Sequence, residues 1–99
     1  MEVTKEGVVY RLKNRGDDTT QQVVFTHRTD DGNFVNGTTN EEVLSMLIER
    51  MYTLQKNKYS SENQTAIILL KNVRRLLAKR VAKKKQRSEY HGYEFKDTS

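Results

Sequence analysis

Hydrophobic positions in the first third of the chain alternate. Val8, Tyr10 and Leu12 share one face and Val9 and Arg11 the other, and Val23, Val24 and Phe25 alternate in the same way within Gln21 to His27. Period two over short β-branched and aromatic runs predicts strands. Between the two runs stands Asn14-Arg15-Gly16-Asp17-Asp18, which is turn chemistry, so the pair is expected to form a β-hairpin. A second turn is expected at Asp30-Asp31-Gly32-Asn33.

From Thr39 the period lengthens. Thr39 is a natural helix cap, and Glu42 three positions later completes a capping box. Val43, Leu44, Leu47, Ile48, Met51 and Leu54 then recur every three or four residues, which predicts one amphipathic helix from about Asn40 to Lys56. Lys56 to Ser60 is expected to connect it to a second helix, capped by Ser60 or Ser61 and running to about Lys85. That helix carries Ala66, Ile67, Leu70, Val73, Leu77 and Val81 on one stripe, with Ile68, Leu69 and Leu76 outside it. Two helices joined by so few residues pack as an antiparallel hairpin. The expected fold is therefore α+β in a single domain, with a β-hairpin region over 1–35, a helix hairpin over 40–86 and a non-helical tail over 87–99.

Composition adds an assembly argument. The chain has 99 residues, and its apolar share is about 39% with glycines counted, against roughly 45–50% for an average domain. A core that thin is expected to be shared, and the wide apolar arc points to helices of other copies. With no cysteine, a disulfide scaffold and a thiolate metal site are excluded, and two histidines cannot build a His-rich one. No apolar run approaches the ~20 residues of a spanning helix. The charged start MEVTKEGVVY lacks the apolar stretch of a signal peptide, so an intracellular, soluble protein is expected.

Net charge is only +5, but nine of the 18 Lys and Arg residues lie between Lys71 and Arg87, where there is no acid. Such a run is either a solvated helix face or an attractor of anions. Acidic residues cluster earlier, from Asp17 to Glu49, where they could meet the basic run of a neighbouring copy. No catalytic constellation stands out, and His27 reads as a strand-end or interface histidine in preference to a general base. Asn36-Gly37-Thr38-Thr39 lacks the GxxxxGK[ST] pattern and reads as a turn plus cap. The second helix starts neutral to acidic, so its cations suit phosphate contact better than base reading.

Three segments together carry a resemblance: Phe34-Val35-Asn36-Gly37-Thr38-Thr39-Asn40-Glu41-Glu42-Val43-Leu44, then Ile48-Glu49-Arg50-Met51 with Leu54-Gln55, then Ser61-Glu62-Asn63-Gln64-Thr65-Ala66-Ile67. Over about residues 35–87 the chain resembles the helix-hairpin domain of the phage sponge proteins that counter CBASS and Thoeris defence. The resemblance implies a non-enzymatic protein without a cofactor, acting in the cytoplasm of the infected bacterial host. It also implies a homo-oligomer, commonly a hexamer, that binds cyclic di- or trinucleotides or cyclic ADP-ribose isomers between subunits and sequesters them. Carried over by position, Arg28, Lys56, Arg80 and Arg87 would hold phosphates and Asn63 a sugar or base edge. Where the family has an aromatic at the end of the first helix this chain has Leu54, so Tyr52, Tyr59 or Tyr90 would supply the stacking surface. The alternative expectation, from another class, is a small basic nucleic-acid-binding protein using Lys71 to Arg87.

Overall fold

The computed structural model describes the backbone of residues 1–91 and the side chains of residues 1–83. It is α+β, a small antiparallel sheet followed by two helices. The chain divides into two compact units, Met1–Val43 and Leu44–Ser99.

In the first unit, β1 (Glu2–Lys5), β2 (Val9–Lys13) and β3 (Thr20–Val24) form an antiparallel sheet in that order. The expected hairpin is β2–β3, in register from Val9 opposite Val24 to Lys13 opposite Thr20. Its partner on the other side, β1, corrects the two-strand expectation. Glu-Val-Thr-Lys is short and fully exposed, with only Val3 to signal a strand, yet Val3 stands opposite Tyr10, which stands opposite Val23. The β1–β2 turn needs Gly7, whose φ of 74° is the left-handed region that side chains avoid. On the same face as this apolar row, Tyr10 meets Phe25 edge-on, with ring centroids 5.9 Å apart at 86°.

The second expected turn also forms, and it joins a further pair of strands, β4 (His27–Arg28) and β5 (Phe34–Val35). Asp31 organises the turn by accepting from Thr29 Oγ1, the Asn33 amide at 3.2 Å and Asn33 Nδ2 at 3.0 Å. Asp17 does the same in the β2–β3 turn, accepting from the Thr19 hydroxyl and from its amide at 2.8 Å. Both carboxyls are held below the usual aspartate value of 3.8, each chiefly by its threonine hydroxyl.

After β5 the chain returns along β3. Thr38 donates its amide to Val24 O at 2.8 Å, and Thr26 donates to Thr38 O at 2.9 Å. Gly37 makes this return possible: a Cβ there would stand 2.5 Å from Val24 O, 2.6 Å from Phe25 C and 2.7 Å from Thr26 N. The Asn-Gly pair thus serves backbone packing. Thr39 then caps the next element, accepting the Glu42 amide at 3.2 Å.

The helices are α1 (Asn40–Asn57) and α2 (Ser61–His91). Side-chain bonds pair Ser45 with Arg74, Tyr52 with Lys71 and Gln55 with Gln64, so the two run antiparallel. Among the described residues only Ile48 and Ile67 are buried hydrophobics, at 4% and 1% exposure, one from each helix. The connector is shorter than expected, Lys58 to Ser60, and Lys56 lies in the last turn of α1, where a cation complements the helix dipole.

Helix α2 corrects the expected non-helical start of the tail, because 87–91 belong to it. Ala, Lys, Gln and Arg from Ala82 to Arg87 are strong helix formers, and no glycine or proline falls between Ser61 and Gly92. The rest of the expected tail, 92–99, lies outside the described residues. At 1.5 Å per residue, α2 is about 46 Å long and α1 about 27 Å. The basic end of α2 therefore outruns its partner helix.

Candidate functional site

The turn between the helices is built by Gln55. Its Oε1 accepts the Ser60 amide at 2.8 Å, and its Nε2 donates to Ser60 O at 3.0 Å and to Gln64 Oε1 at 3.2 Å. One side chain thus bonds both backbone groups of Ser60, the residue just before α2. Ser60 takes the cap, its Oγ accepting the Asn63 amide at 3.2 Å. Glu62 adds a negative charge to this helix start, and its carboxyl is held below the usual 4.5 by its own amide first and then by the Ser60 and Ser61 hydroxyls.

At this end of the hairpin the structure gathers Lys56, Tyr59 and Asn63. The Gln55–Gln64 bond brings their neighbours Lys56 and Asn63 to one tip. Lys56 is exposed and Tyr59, within the connector, is 69% exposed. Asn63 is half-buried with its backbone amide committed to Ser60, and its side chain forms no hydrogen bond among the described residues.

Tyr52 lies farther along. Its hydroxyl accepts from Lys71 Nζ at 2.9 Å, and that ammonium is 5.4 Å from the ring centroid. At that distance the cation sits towards the phenolic rim, so Tyr52 is already an anchored ring with a positive charge beside it. By sequence Lys71 belongs to the basic run of Lys71 to Arg87, and its pairing with Tyr52 is what the structure adds. Arg74, from the same run, donates to Ser45 Oγ at 3.2 Å. Arg75 donates to Asn72 Oδ1 at 3.3 Å. Among the described residues, the side-chain bonds of these three cations go to neutral partners.

Arg80 is exposed on α2, about 25 Å along the helix from Asn63 at 1.5 Å per residue. Arg87 is about 36 Å from Asn63 on the same count, in the helical backbone but with a side chain outside the described ones, as is that of Tyr90. Within one copy, then, the expected phosphate holders fall into two groups, one at the hairpin tip and one far along α2. Arg28 belongs to the first unit, exposed on β4 opposite Phe34. His27 beside it is half-buried, and its Nδ1–H donates to Phe25 O at 2.9 Å, which fixes the ring at a strand end. No described helix is long and apolar enough to cross a membrane.

Compared with known proteins, the chain matches no protein-family model, no curated protein and no solved structure.

Proposed function

We propose that this chain is a phage sponge that binds a cyclic nucleotide immune signal without cleaving it and so blocks CBASS or Thoeris defence. The observation that carries the reading is the split of the candidate residues. Lys56, Tyr59 and Asn63 form a tip with a point charge, a ring and a group that both donates and accepts, while Arg80 lies about 25 Å away on the same rigid helix. A cyclic di- or trinucleotide is too small to touch both from one copy. It is enclosed when several copies assemble, phosphates on Arg80 and Arg87, a sugar or base edge on Asn63, and bases against Tyr59, Tyr52 or Tyr90. Lys56 and Arg28 add positive charge. The sparse core and the exposed Leu69 and Leu76 support the homo-oligomer this requires, with a hexamer as the expected state.

The test is calorimetry with cyclic dinucleotides, cyclic trinucleotides and cyclic ADP-ribose isomers, each recovered afterwards and weighed by mass spectrometry. Binding of at least one, with the ligand returned intact, is expected, and Leu69→Glu abolishes it by breaking the assembly. Silence across the panel, turnover of the ligand, or full affinity in a Leu69→Glu monomer refutes the reading.

A second reading, a nucleic-acid-binding protein, is favoured by six cations from Lys71 to Lys83 without an intervening acid. Duplex DNA in the same instrument at two salt concentrations separates the two. Counterion release makes polymer binding fall steeply with salt, and an enclosed small ligand loses far less.

A further inference from the structure

The outward side of α2 carries a second apolar stripe that the helix pair does not use. Glu62, Thr65, Leu69, Val73, Leu76, Arg80 and Lys83 follow one another at three- and four-residue spacing. At 3.6 residues per turn all lie within about 40° of the direction of Leu69. Every one of them is exposed, Leu69 by 58% and Leu76 by 65%. The stripe is apolar in the middle, acidic at its start and basic at its end. Cations near its midpoint do not interrupt it, because Lys71 and Arg74 are turned to α1 and bonded to Tyr52 and Ser45.

We infer that this stripe is a two-fold, antiparallel interface between α2 helices of two copies, centred between Asn72 and Val73. A stripe that reads acid–apolar–base is complementary to itself only when reversed. About that centre Leu69 faces Leu76 of the second copy, Val73 lies beside the axis, Thr65 faces Arg80 and Glu62 faces Lys83. Each contact occurs twice, as a two-fold interface requires. The three- and four-residue spacing is that of knobs seated in holes, with helix axes 8–10 Å apart. A parallel pairing would stack Glu62 on Glu62 and Lys83 on Lys83 and is disfavoured by repulsion at both ends. On the functional reading above, on which the pairing itself does not depend, the same register carries Arg80 of the second copy to the level of Thr65 and Asn63. Measured along the helix axis, the separation of about 25 Å within one chain falls to a few ångströms between two.

The absence of native cysteine gives a clean background for cross-linking the full-length chain under mild oxidation. Val73→Cys is expected to link to itself, giving a species of twice 11.6 kDa on a non-reducing gel. Glu62→Cys and Lys83→Cys are each expected to stay unlinked alone, being about 31 Å apart along the helix, and to link when the two variants are mixed. Glu62→Lys should weaken self-association about tenfold or more through like-charge contacts, and adding Lys83→Glu to the same chain should restore it. Self-linking of Glu62→Cys as fast as Val73→Cys overturns the antiparallel register. A monomeric mass for the unaltered chain by light scattering, with far-UV circular dichroism intact, overturns the interface altogether. None of these readouts uses a nucleotide, so a paired but ligand-silent protein refutes only the sponge reading, and a ligand-binding protein without these cross-links refutes only the pairing.

Discussion

Replacing Gly37 by alanine puts the return of the chain along β3 to a quantitative test. The added methyl would stand 2.5–2.7 Å from three backbone atoms of Val24, Phe25 and Thr26, all below the 3.0 Å that real Cβ atoms essentially never show. Because none belongs to a flexible side chain, relief requires the two segments to part. Parting them strains or breaks the Thr38–Val24 and Thr26–Thr38 bonds at 2.8 and 2.9 Å. Two backbone hydrogen bonds at roughly 0.5–1.5 kcal/mol each, with overpacking strain of roughly 1–3 kcal/mol, give a loss of about 2–5 kcal/mol. That is a large part of the roughly 5–15 kcal/mol that keeps a typical domain folded. Urea unfolding followed by circular dichroism reads the total, and amide exchange at Thr26 and Thr38 locates it. Gly16→Ala is the control, since a Cβ there meets nothing within 4 Å. If Gly37→Ala unfolds within 0.5 kcal/mol of the parent, or if Thr26 and Thr38 keep their protection, the close approach at Gly37 is wrong.

Other residues give independent checks. Gln55→Ala removes both bonds to Ser60 and should cost about 1–3 kcal/mol in urea unfolding, with faster amide exchange at Ser60; an unchanged midpoint would contradict the bracing role. Thr39→Ala withdraws the acceptor of the Glu42 amide and should cost about 1 kcal/mol, whereas Thr39→Asp should restore most of it. The Asp17 and Asp31 carboxyls should titrate below 3.8 when followed by their carboxyl ¹³C shifts. Since their folded values are lowered, the stabilisation they contribute is complete above 3.8 and disappears as pH falls through the folded values. Thr29→Val should raise the Asp31 midpoint towards 3.8, because the Thr29 hydroxyl is the main cause of its depression.

Where one dominant signal decides a segment, the sequence reading and the structure agree. The β2–β3 alignment follows from alternation on both sides of a Gly-Asp-Asp turn, and α1 follows from the change of period at Thr39 together with its cap. Strand β1 was illegible because three of its four residues are polar or charged, and its pairing is fixed by β2. That α2 continues past Lys85 was not legible from its apolar stripe, because the continuation depends on helix propensity alone. Gln55 gave no warning of its brace, since a glutamine at a helix end is ordinary until its partner five residues later comes within reach. The candidate residues were legible as a set but not as an arrangement. Nothing in their identities tells that Lys56 and Asn63 share a tip while Arg80 stands about 25 Å away.

The brace at Gln55 also bears on what each closure of the chain costs. Its bonds span five and nine positions of chain, and those at Ser60 close the turn with groups that lie entirely between Gln55 and Ser60. Closure over so short a span forfeits little chain entropy and proceeds on the time scale of local contacts. The bridge from Thr38 to Val24 has a longer detour to close, around the whole of the β4–β5 turn. The bend between the helices, like the Asn14–Thr19 turn of the β2–β3 hairpin, therefore closes at a smaller cost in chain entropy than the return of Thr38 to Val24.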